Sequence, residues 1–149
     1  MDKLENQKLI VALNNLIETC KDAEKGFREA SESIENAFYQ VLFSEFSRQR
    51  GQFAKRLQAR VRTLGGSPER KGSLAGTLHR GWMNLKAAVA KKDNRAVIIE
   101  CERGEEAGLK NFRAILKNKE LPEDIRAMLK QQSAEIEETI KRLATMRKE

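Results

Sequence analysis

Two copies of a short motif, each a cysteine followed four residues later by a glutamate, stand out in the sequence. Cys20 precedes Glu24 in "CKDAEKGF", and Cys101 precedes Glu105 in "CERGEEAGL". Four residues make about one turn of a helix, so each pair lies on one helical face, in stretches that otherwise carry apolar residues. Carboxylates buried in this way bind metal ions or pair with other polar groups. The duplication therefore indicates two similar structural units and two carboxylates that face a common centre.

The composition is that of a water-soluble helical protein. The chain has 149 residues, of which 34% are charged, 5% are aromatic and two are proline, and its mean hydropathy is −0.64. This length predicts a single domain over residues 1–149, with a core that needs no disulfide. The residue types favour an all-α fold, and no apolar run is long enough to cross a membrane. Two distant cysteines and a polar N-terminus without a secretory signal predict a cytoplasmic protein.

Clusters of turn-forming residues divide the chain into five predicted helices. The predicted ranges are 2–30, 34–64, 74–90, 95–117 and 123–147. The first two helices carry apolar stripes at steps of three and four residues, which predicts that they pair as an antiparallel hairpin. The last two form a second hairpin, and the short third helix lies in the crossover. The sequence Lys-Arg-Leu occurs at 55–57 and again at 141–143, so the repeat extends over both hairpins.

Two long hairpins joined by a crossover are the connectivity of ferritin-like four-helix bundles. The stretches "LIETCKDAEKGFREA", "GSLAGTLHRGWMNLK" and "ECERGEEAGLKNFRAIL" also resemble a bacterial family of four-helix-bundle proteins of unknown function in the ferritin-like superfamily. The resemblance runs from about residue 8 to about residue 146 and is most specific around 74–85. It implies a ferritin-like bundle with an extra short helix in the crossover, and it implies no established activity.

Ferritin-like metal proteins bind two metals through a Glu from each of two helices and a Glu-x-x-His from each of the other two. Glu24 and Glu105 match the two single-Glu positions. Aligning the two Lys-Arg-Leu motifs pairs glutamines of the second helix with glutamates of the fifth at the places expected for Glu-x-x-His: Gln49 with Glu135, and Gln52 with Glu138. Neither place has a histidine, because the only one, His79, lies in the crossover.

Two interpretations of these carboxylates remain open. In one, the protein binds a divalent ion such as iron, manganese or zinc, since oxygen ligands alone suit hard cations. The candidate ligands are Glu24, Glu105, Glu135, Glu45 and Glu138, supported by Gln49 and Gln52. In the other, the same carboxylates pair with glutamine or arginine side chains as a hydrogen-bonded polar layer that fixes the register of the helices.

The cysteines and the crossover have plainer interpretations. Cys20 and Cys101 lie on apolar stripes, so we expect small buried side chains and no disulfide in a reducing compartment. In "HRGWMNLK", Trp82 and Leu85 continue a stripe from Leu78 that attaches the crossover to the bundle. The alternative for this stretch is an anion or partner contact through His79 and its neighbour Arg80. Gly76 and Gly81 would permit a close approach of the crossover.

The charge of the protein raises the question of nucleic-acid binding. The formal net charge is +7, and the isoelectric point is about 9.6. Between Phe46 and Pro68 there is no acidic residue but there are six cations: Arg48, Arg50, Lys55, Arg56, Arg60 and Arg62. Such a stretch binds nucleic acid nonspecifically or is a solvated, ion-paired helix face. No aromatic platform or recognition motif accompanies it, so we do not expect nucleic acid as the partner.

Taken together, these patterns predict a non-enzymatic bundle that associates with itself or with a partner protein, with a homodimer as the expected assembly. The alternative function is a carboxylate-based metal site that lacks the usual histidine ligands, and the third is nonspecific nucleic-acid binding by the basic second helix.

Overall fold

The computed structural model describes residues 2–68 and 80–149, apart from the side chain of Arg80. Its helices are α1 Lys3–Ser33, α2 Ala37–Thr63, α3 Leu85–Ala90, α4 Asn94–Leu116 and α5 Glu123–Lys148, with a 3₁₀ turn at Arg80–Trp82. The described residues contain no β-strand. The predicted all-α class is confirmed, and no helix in the described part of the chain is both long and apolar enough to span a bilayer.

Side-chain caps fix where three of the four long helices, α1, α2 and α4, begin. The carboxylate of Asp2 accepts a hydrogen bond from the backbone N–H of Glu5, and Asp93 does the same for α4. The side-chain oxygen of Asn36 accepts from the backbone N–H of Tyr39 at 3.0 Å. These bonds satisfy donors that have no partner inside the first turn of a helix. Because Asn36 is the cap, α2 begins at 37 rather than at the predicted 34, and the buried Ile34 is extended.

The crossover differs from its prediction. Residues 74–79 of the predicted helix 74–90 lie outside the described residues. From 80 onward the chain forms the 3₁₀ turn Arg80–Trp82 and then, after a break at Met83 and Asn84, the short helix α3. The prediction of one continuous helix is therefore wrong for residues 80–90. Helix α3 confirms that the crossover contains a short helix.

Close packing against α4 explains the irregular crossover. A Cβ atom on Gly81 would lie 2.7 Å from the Cα of Gly104, so the two backbones touch. The indole of Trp82 lies between Gly26 of α1 and Gly104, where any larger residue would collide with the ring. Trp82 also meets Phe27 edge-on, with ring centroids 5.2 Å apart. A regular helix would not let Gly81 contact α4 while Trp82 inserts between two helices.

The four long helices form two hairpins that pack through α1 and α4. Helix α1 pairs with α2, α4 pairs with α5, and α1 also packs on α4. The first hairpin is antiparallel, since Asn6 near the start of α1 donates to the carbonyl of Leu64 just after α2. The backbones of α2 and α5 are farther apart, and a surface groove lies between them. This is the predicted arrangement of a four-helix bundle with two antiparallel hairpins.

The core consists of two clusters of buried apolar side chains, one toward each end of the bundle. The first includes Leu13, Leu57, Phe112 and Leu129. The second includes Phe27, Phe43, Ile98 and Leu143. Between them along the helices lie Arg50 of α2, Glu105 of α4 and Thr139 of α5, all at most 3% exposed. We call these three residues the central polar layer.

Candidate functional site

The central polar layer is built around an ion pair that spans the bundle. Arg50 is 1% exposed and Glu105 is 2% exposed. The Nε of Arg50 donates to one carboxylate oxygen of Glu105 at 3.2 Å. Its Nη2 donates to the other oxygen. A two-bond contact of this kind fixes the relative orientation of both groups. The pair therefore holds α2 and α4 in register at the middle of the core.

Arg50 makes two further hydrogen bonds. Its Nη2 donates to the hydroxyl of Thr139 at 3.2 Å, and its Nη1 donates to the side-chain oxygen of Gln49. The guanidinium carbon lies 5.9 Å from the ring centroid of Phe27 and 5.2 Å from that of Phe53. Aromatic faces attract cations electrostatically, and hydrogen-bonded partners offset the desolvation of a buried charge. Arg50 is thus an internal cation with polar and aromatic partners.

The ionisation of Glu105 reflects two opposing influences. Burial raises the pKa of the Glu105 carboxyl, whereas the attraction of Arg50 and the hydrogen bonds that it donates lower that pKa. Desolvation disfavours the charged carboxylate, and a neighbouring cation favours it. Burial has the larger effect, so the pKa is raised overall. Arg50 is therefore what limits the rise.

Glu24, the counterpart of Glu105 in the repeat, lies at the edge of the bundle. Its side chain is 26% exposed and accepts a salt bridge from Lys21 at 3.2 Å, one turn earlier on α1. One carboxylate oxygen lies against the backbone of Gly51, where any larger residue would collide with it. The two repeated glutamates therefore do not share a cation. Both nevertheless lie near Cys20, whose pKa they and Arg50 influence.

The other five candidate ligands line the surface groove between α2 and α5. This α2–α5 groove has a volume of about 490 Å³, and the candidates in it are Glu45, Gln49, Gln52, Glu135 and Glu138. Glu45 is paired on the surface with Arg48 at 2.8 Å. In the described part of the chain no three Asp, Glu, Cys or His side chains come together as a metal site requires. Metal binding by these residues stays a prediction.

Both cysteines are buried and free. Burial raises the pKa of Cys20 to about 12, an effect that Arg50 opposes and the two neighbouring glutamates reinforce. Burial also raises the pKa of Cys101 well above its usual value. Only the thiolate is a good nucleophile, so both side chains are unreactive at neutral pH. They act as small core residues, as expected from their place on the apolar stripes.

The sequence analysis did not identify Arg50 as a buried core residue. The internal repeat contains the signal that identifies it. The alignment of the Lys-Arg-Leu motifs that pairs Gln49 with Glu135 also pairs Arg50 with Ile136, which is 2% exposed. Arg50 also follows the buried Phe46 by four residues and so lies on the inner stripe of α2. A charged residue at a core position of one helix predicts an opposite charge on another.

The six cations between Phe46 and Pro68 are largely engaged within the protein. Arg50 is buried, Arg48 pairs with Glu45, and Arg60 pairs with Asp124. Arg56 donates to the side chain of Gln131 at 3.3 Å. Two exposed cations, Lys55 and Arg62, have no hydrogen bond or ion pair with the residues that the structure describes. Two of the six cations, Arg48 and Arg60, therefore form ion pairs on the surface, and a third, Arg50, is withdrawn into the core. His79 and the side chain of Arg80, the alternative anion or partner contact in the crossover, lie outside the described structure.

An exposed apolar surface lies at the N-terminal end of α2. Phe38 and Val41 are each 66% exposed, which is unusual for large apolar side chains close together on one helix. The ring of Phe38 lies 5.9 Å from that of the half-buried Tyr39. Beside them the α2–α5 groove widens into a second cavity of about 420 Å³, which Leu42 also lines. We call Phe38, Tyr39, Val41 and Leu42 the α2 apolar surface.

Two antiparallel hairpins, a crossover with a short helix and a polar layer inside the core define a ferritin-like four-helix-bundle protein. The sequence matches the family described as "Domain of unknown function (DUF2383)" over residues 8–118, so the chain belongs to that family. A solved structure of a Dps1 mutant from Mycobacterium smegmatis is similar, with a TM-score of 0.77, 13% identity and 99% of each chain covered. At this identity the likeness shows the fold alone. Comparison with curated proteins gave no match.

Proposed function

We propose that the protein is a non-enzymatic bundle that forms a homodimer through the α2 apolar surface. The exposure of Phe38 and Val41, 66% each, is the observation that carries this proposal. Covering apolar side chains removes them from water and is the main driving force of protein association. A neighbouring pair on one rigid helix, beside an open cavity, forms a better contact than scattered apolar residues.

The charges beside this surface favour a second copy of the chain as the partner. In an antiparallel contact of two α2 helices about Val41, Arg48 lies seven residues to one side and Glu35 six residues to the other. Both side chains are exposed. A twofold axis at Val41 would direct the Arg48 of each copy, which also pairs with Glu45 of its own helix, toward the end of the partner's α2 that follows Glu35. An isologous contact of this type closes on itself and yields a dimer.

The state of the reactive side chains supports a role without catalysis. The one deeply buried carboxylate of the polar layer is paired with Arg50, and burial keeps both thiols protonated. Catalytic acids and nucleophiles need accessible groups with pKa values suited to proton transfer or attack. The two free cysteines also fit the reducing cytoplasm, which we propose as the location of the protein. The bacterial origin implied by the resemblance stays a prediction.

Sedimentation equilibrium over a wide range of protein concentrations tests the proposal. We expect the wild type to sediment at twice the chain mass of 17.0 kDa. The double substitution Phe38→Ser with Val41→Ser should shift it to the monomer without loss of helicity. The matched control is Leu4→Ser with Val11→Ser, which removes two similarly exposed apolar residues of α1 and should leave the dimer intact. A monomeric wild type at every concentration refutes the proposal, and a dimer disrupted only by the control places the contact on α1.

A further inference from the structure

We infer that Arg50 supplies, from within the chain, the positive charge that metal ions supply at the centre of ferritin-like metal proteins. In those proteins carboxylates of several helices converge on the cations. Here one buried carboxylate, Glu105, reaches the middle of the core, and both of its oxygens accept hydrogen bonds from Arg50. The centre of this bundle is therefore an ion pair in place of a metal site.

The residues at this level do not fit a metal ion. A divalent cation bound by oxygen needs about six ligands. Glu105 has both oxygens engaged, and Thr139 receives a donor from Arg50. Glu24, the second carboxylate that the repeat would supply, is 26% exposed and pairs with Lys21 through one oxygen, while its other oxygen lies against the backbone of Gly51. Both oxygens of the carboxylate in the central polar layer are therefore already bonded to a cation.

The space beside the ion pair is also too small. An enclosed cavity lined by Arg50, Glu105, Cys20 and neighbouring core residues has a volume of about 10 Å³. This is about the room that a single water molecule needs. A metal ion that kept even part of its hydration shell would have to displace the guanidinium. Because Arg50 holds that place through hydrogen bonds to Glu105, Thr139 and Gln49, displacement would break several contacts at once.

An internal guanidinium has a consequence that a bound metal would not have. Arginine keeps its positive charge at every physiological pH, so Glu105 is compensated whatever metal ions are present. The register of α2 and α4 then depends on the chain alone. The bundle should fold and persist equally well in metal-rich and metal-depleted surroundings.

Metal binding at equilibrium is the first test. Wild-type protein is dialysed against Mn²⁺, Zn²⁺ or, without oxygen, Fe²⁺, and the bound metal is measured by elemental mass spectrometry. The comparison protein is the double variant Arg50→Met with Glu105→Leu, and Glu24→Gln is the control for the exposed copy of the motif. We expect the amount of metal bound to the wild type to be no greater than the amount bound to the double variant. About one equivalent of metal in the wild type, lost in the double variant, would overturn the inference.

The conservative variant of Arg50 is the second test. Lysine and methionine have similar lengths, but only lysine keeps a positive charge. If Arg50 acts as the internal cation, Arg50→Lys should melt at a clearly higher temperature than Arg50→Met, because Glu105 keeps a counter-charge. Equal melting temperatures for the two variants would show that Arg50 only fills space, which contradicts the inference. The melting temperatures of both variants are measured on the same samples with and without added Mn²⁺ and Zn²⁺.

Discussion

The two copies of the Cys-x-x-x-Glu motif occupy corresponding places on α1 and α4 and have opposite environments. Both cysteines are buried, but Glu105 lies in the core against Arg50, whereas Glu24 is half-buried at the edge of the bundle and pairs with Lys21. The motif therefore specifies the burial of its cysteine and leaves the position of its glutamate open. What differs is the cation with which each glutamate pairs, which is Arg50 of α2 for Glu105 and Lys21 of its own helix for Glu24.

The helices opposite the two motifs explain the asymmetry. Helix α2 places Arg50 in the core, and the aligned position of α5 is the apolar Ile136. A buried carboxylate opposite an isoleucine would have no partner for its charge, which costs several kcal/mol. Only Glu105 pairs with Arg50 and is fully buried, whereas Glu24, whose carboxylate contacts Gly51 next to Arg50, pairs with Lys21 and stays partly exposed.

The largest effect is expected when Arg50 is removed. Arg50→Met leaves Glu105 buried without a cation, and breaking such a pair costs about 3–5 kcal/mol of unfolding free energy. The measurement is urea unfolding followed by circular dichroism. A loss below about 1 kcal/mol would mean that the ion pair does not hold the core together.

The loss in Arg50→Met should also depend on pH. Burial raises the pKa of Glu105, and removal of Arg50 takes away the attraction that limits the rise. A carboxyl with a raised pKa in the folded state takes up a proton there before it does in the unfolded chain. The variant should therefore be closest to the wild type in mild acid and lose stability as pH rises through the pKa of the folded state. Unfolding measured between about pH 5 and 8 checks this sign.

The helices could be predicted from the sequence because apolar residues recur at steps of three and four and polar residues cap the ends. Helix α4 begins after the cap Asp93, one residue before the predicted 95, and α5 begins after Pro122 at the predicted 123. The crossover could not be predicted in the same way. The contact of Gly81 with α4 and the insertion of Trp82 between Gly26 and Gly104 depend on helices distant in sequence.

The candidate site was predicted in part. The buried position of Glu105 followed from its apolar neighbours on α4, and an intervening arginine was one of the open alternatives for the polar layer. The identity of that arginine was missed, since six cations of α2 look alike when only their charge is considered. The repeat alignment distinguishes Arg50, because its counterpart Ile136 is a core residue. The burial of a residue can be predicted from the apolar pattern of its own helix. Its ion-pair partner can be predicted only when it is known which helices face each other.

A second buried polar residue of α5, Gln132, should affect the unfolding free energy less than Arg50 does, and with the opposite sign. Gln132 is fully buried, and in the described structure neither atom of its amide has a hydrogen-bond partner. An unsatisfied buried amide costs about 1–3 kcal/mol. Gln132→Leu should therefore raise the unfolding free energy by about 1 kcal/mol or more. The control is Gln131→Leu at the exposed neighbouring position, which should change the unfolding free energy little. A loss of stability in Gln132→Leu would contradict the prediction, because it would show that the amide has a partner.

The smallest effect is expected at the exposed copy of the motif. Glu24→Gln removes a partly exposed pair with Lys21, and such pairs contribute about 0.5 kcal/mol or less. Thermal unfolding of this variant should nearly superimpose on that of the wild type. A loss comparable to that of Arg50→Met would show that both glutamates carry the same weight, and the contrast between the two motifs would disappear.

The most direct test of the internal ion pair is the unfolding free energy of Arg50→Met with Glu105→Leu, measured beside both single variants. Replacing both charges by apolar side chains of similar size leaves neither group unpaired. The double variant should therefore recover most of the stability lost in Arg50→Met, to within about 1 kcal/mol of the wild type or above it. If the losses of the two single variants simply add in the double variant, Arg50 and Glu105 do not act as a pair, and the account of the central polar layer is wrong.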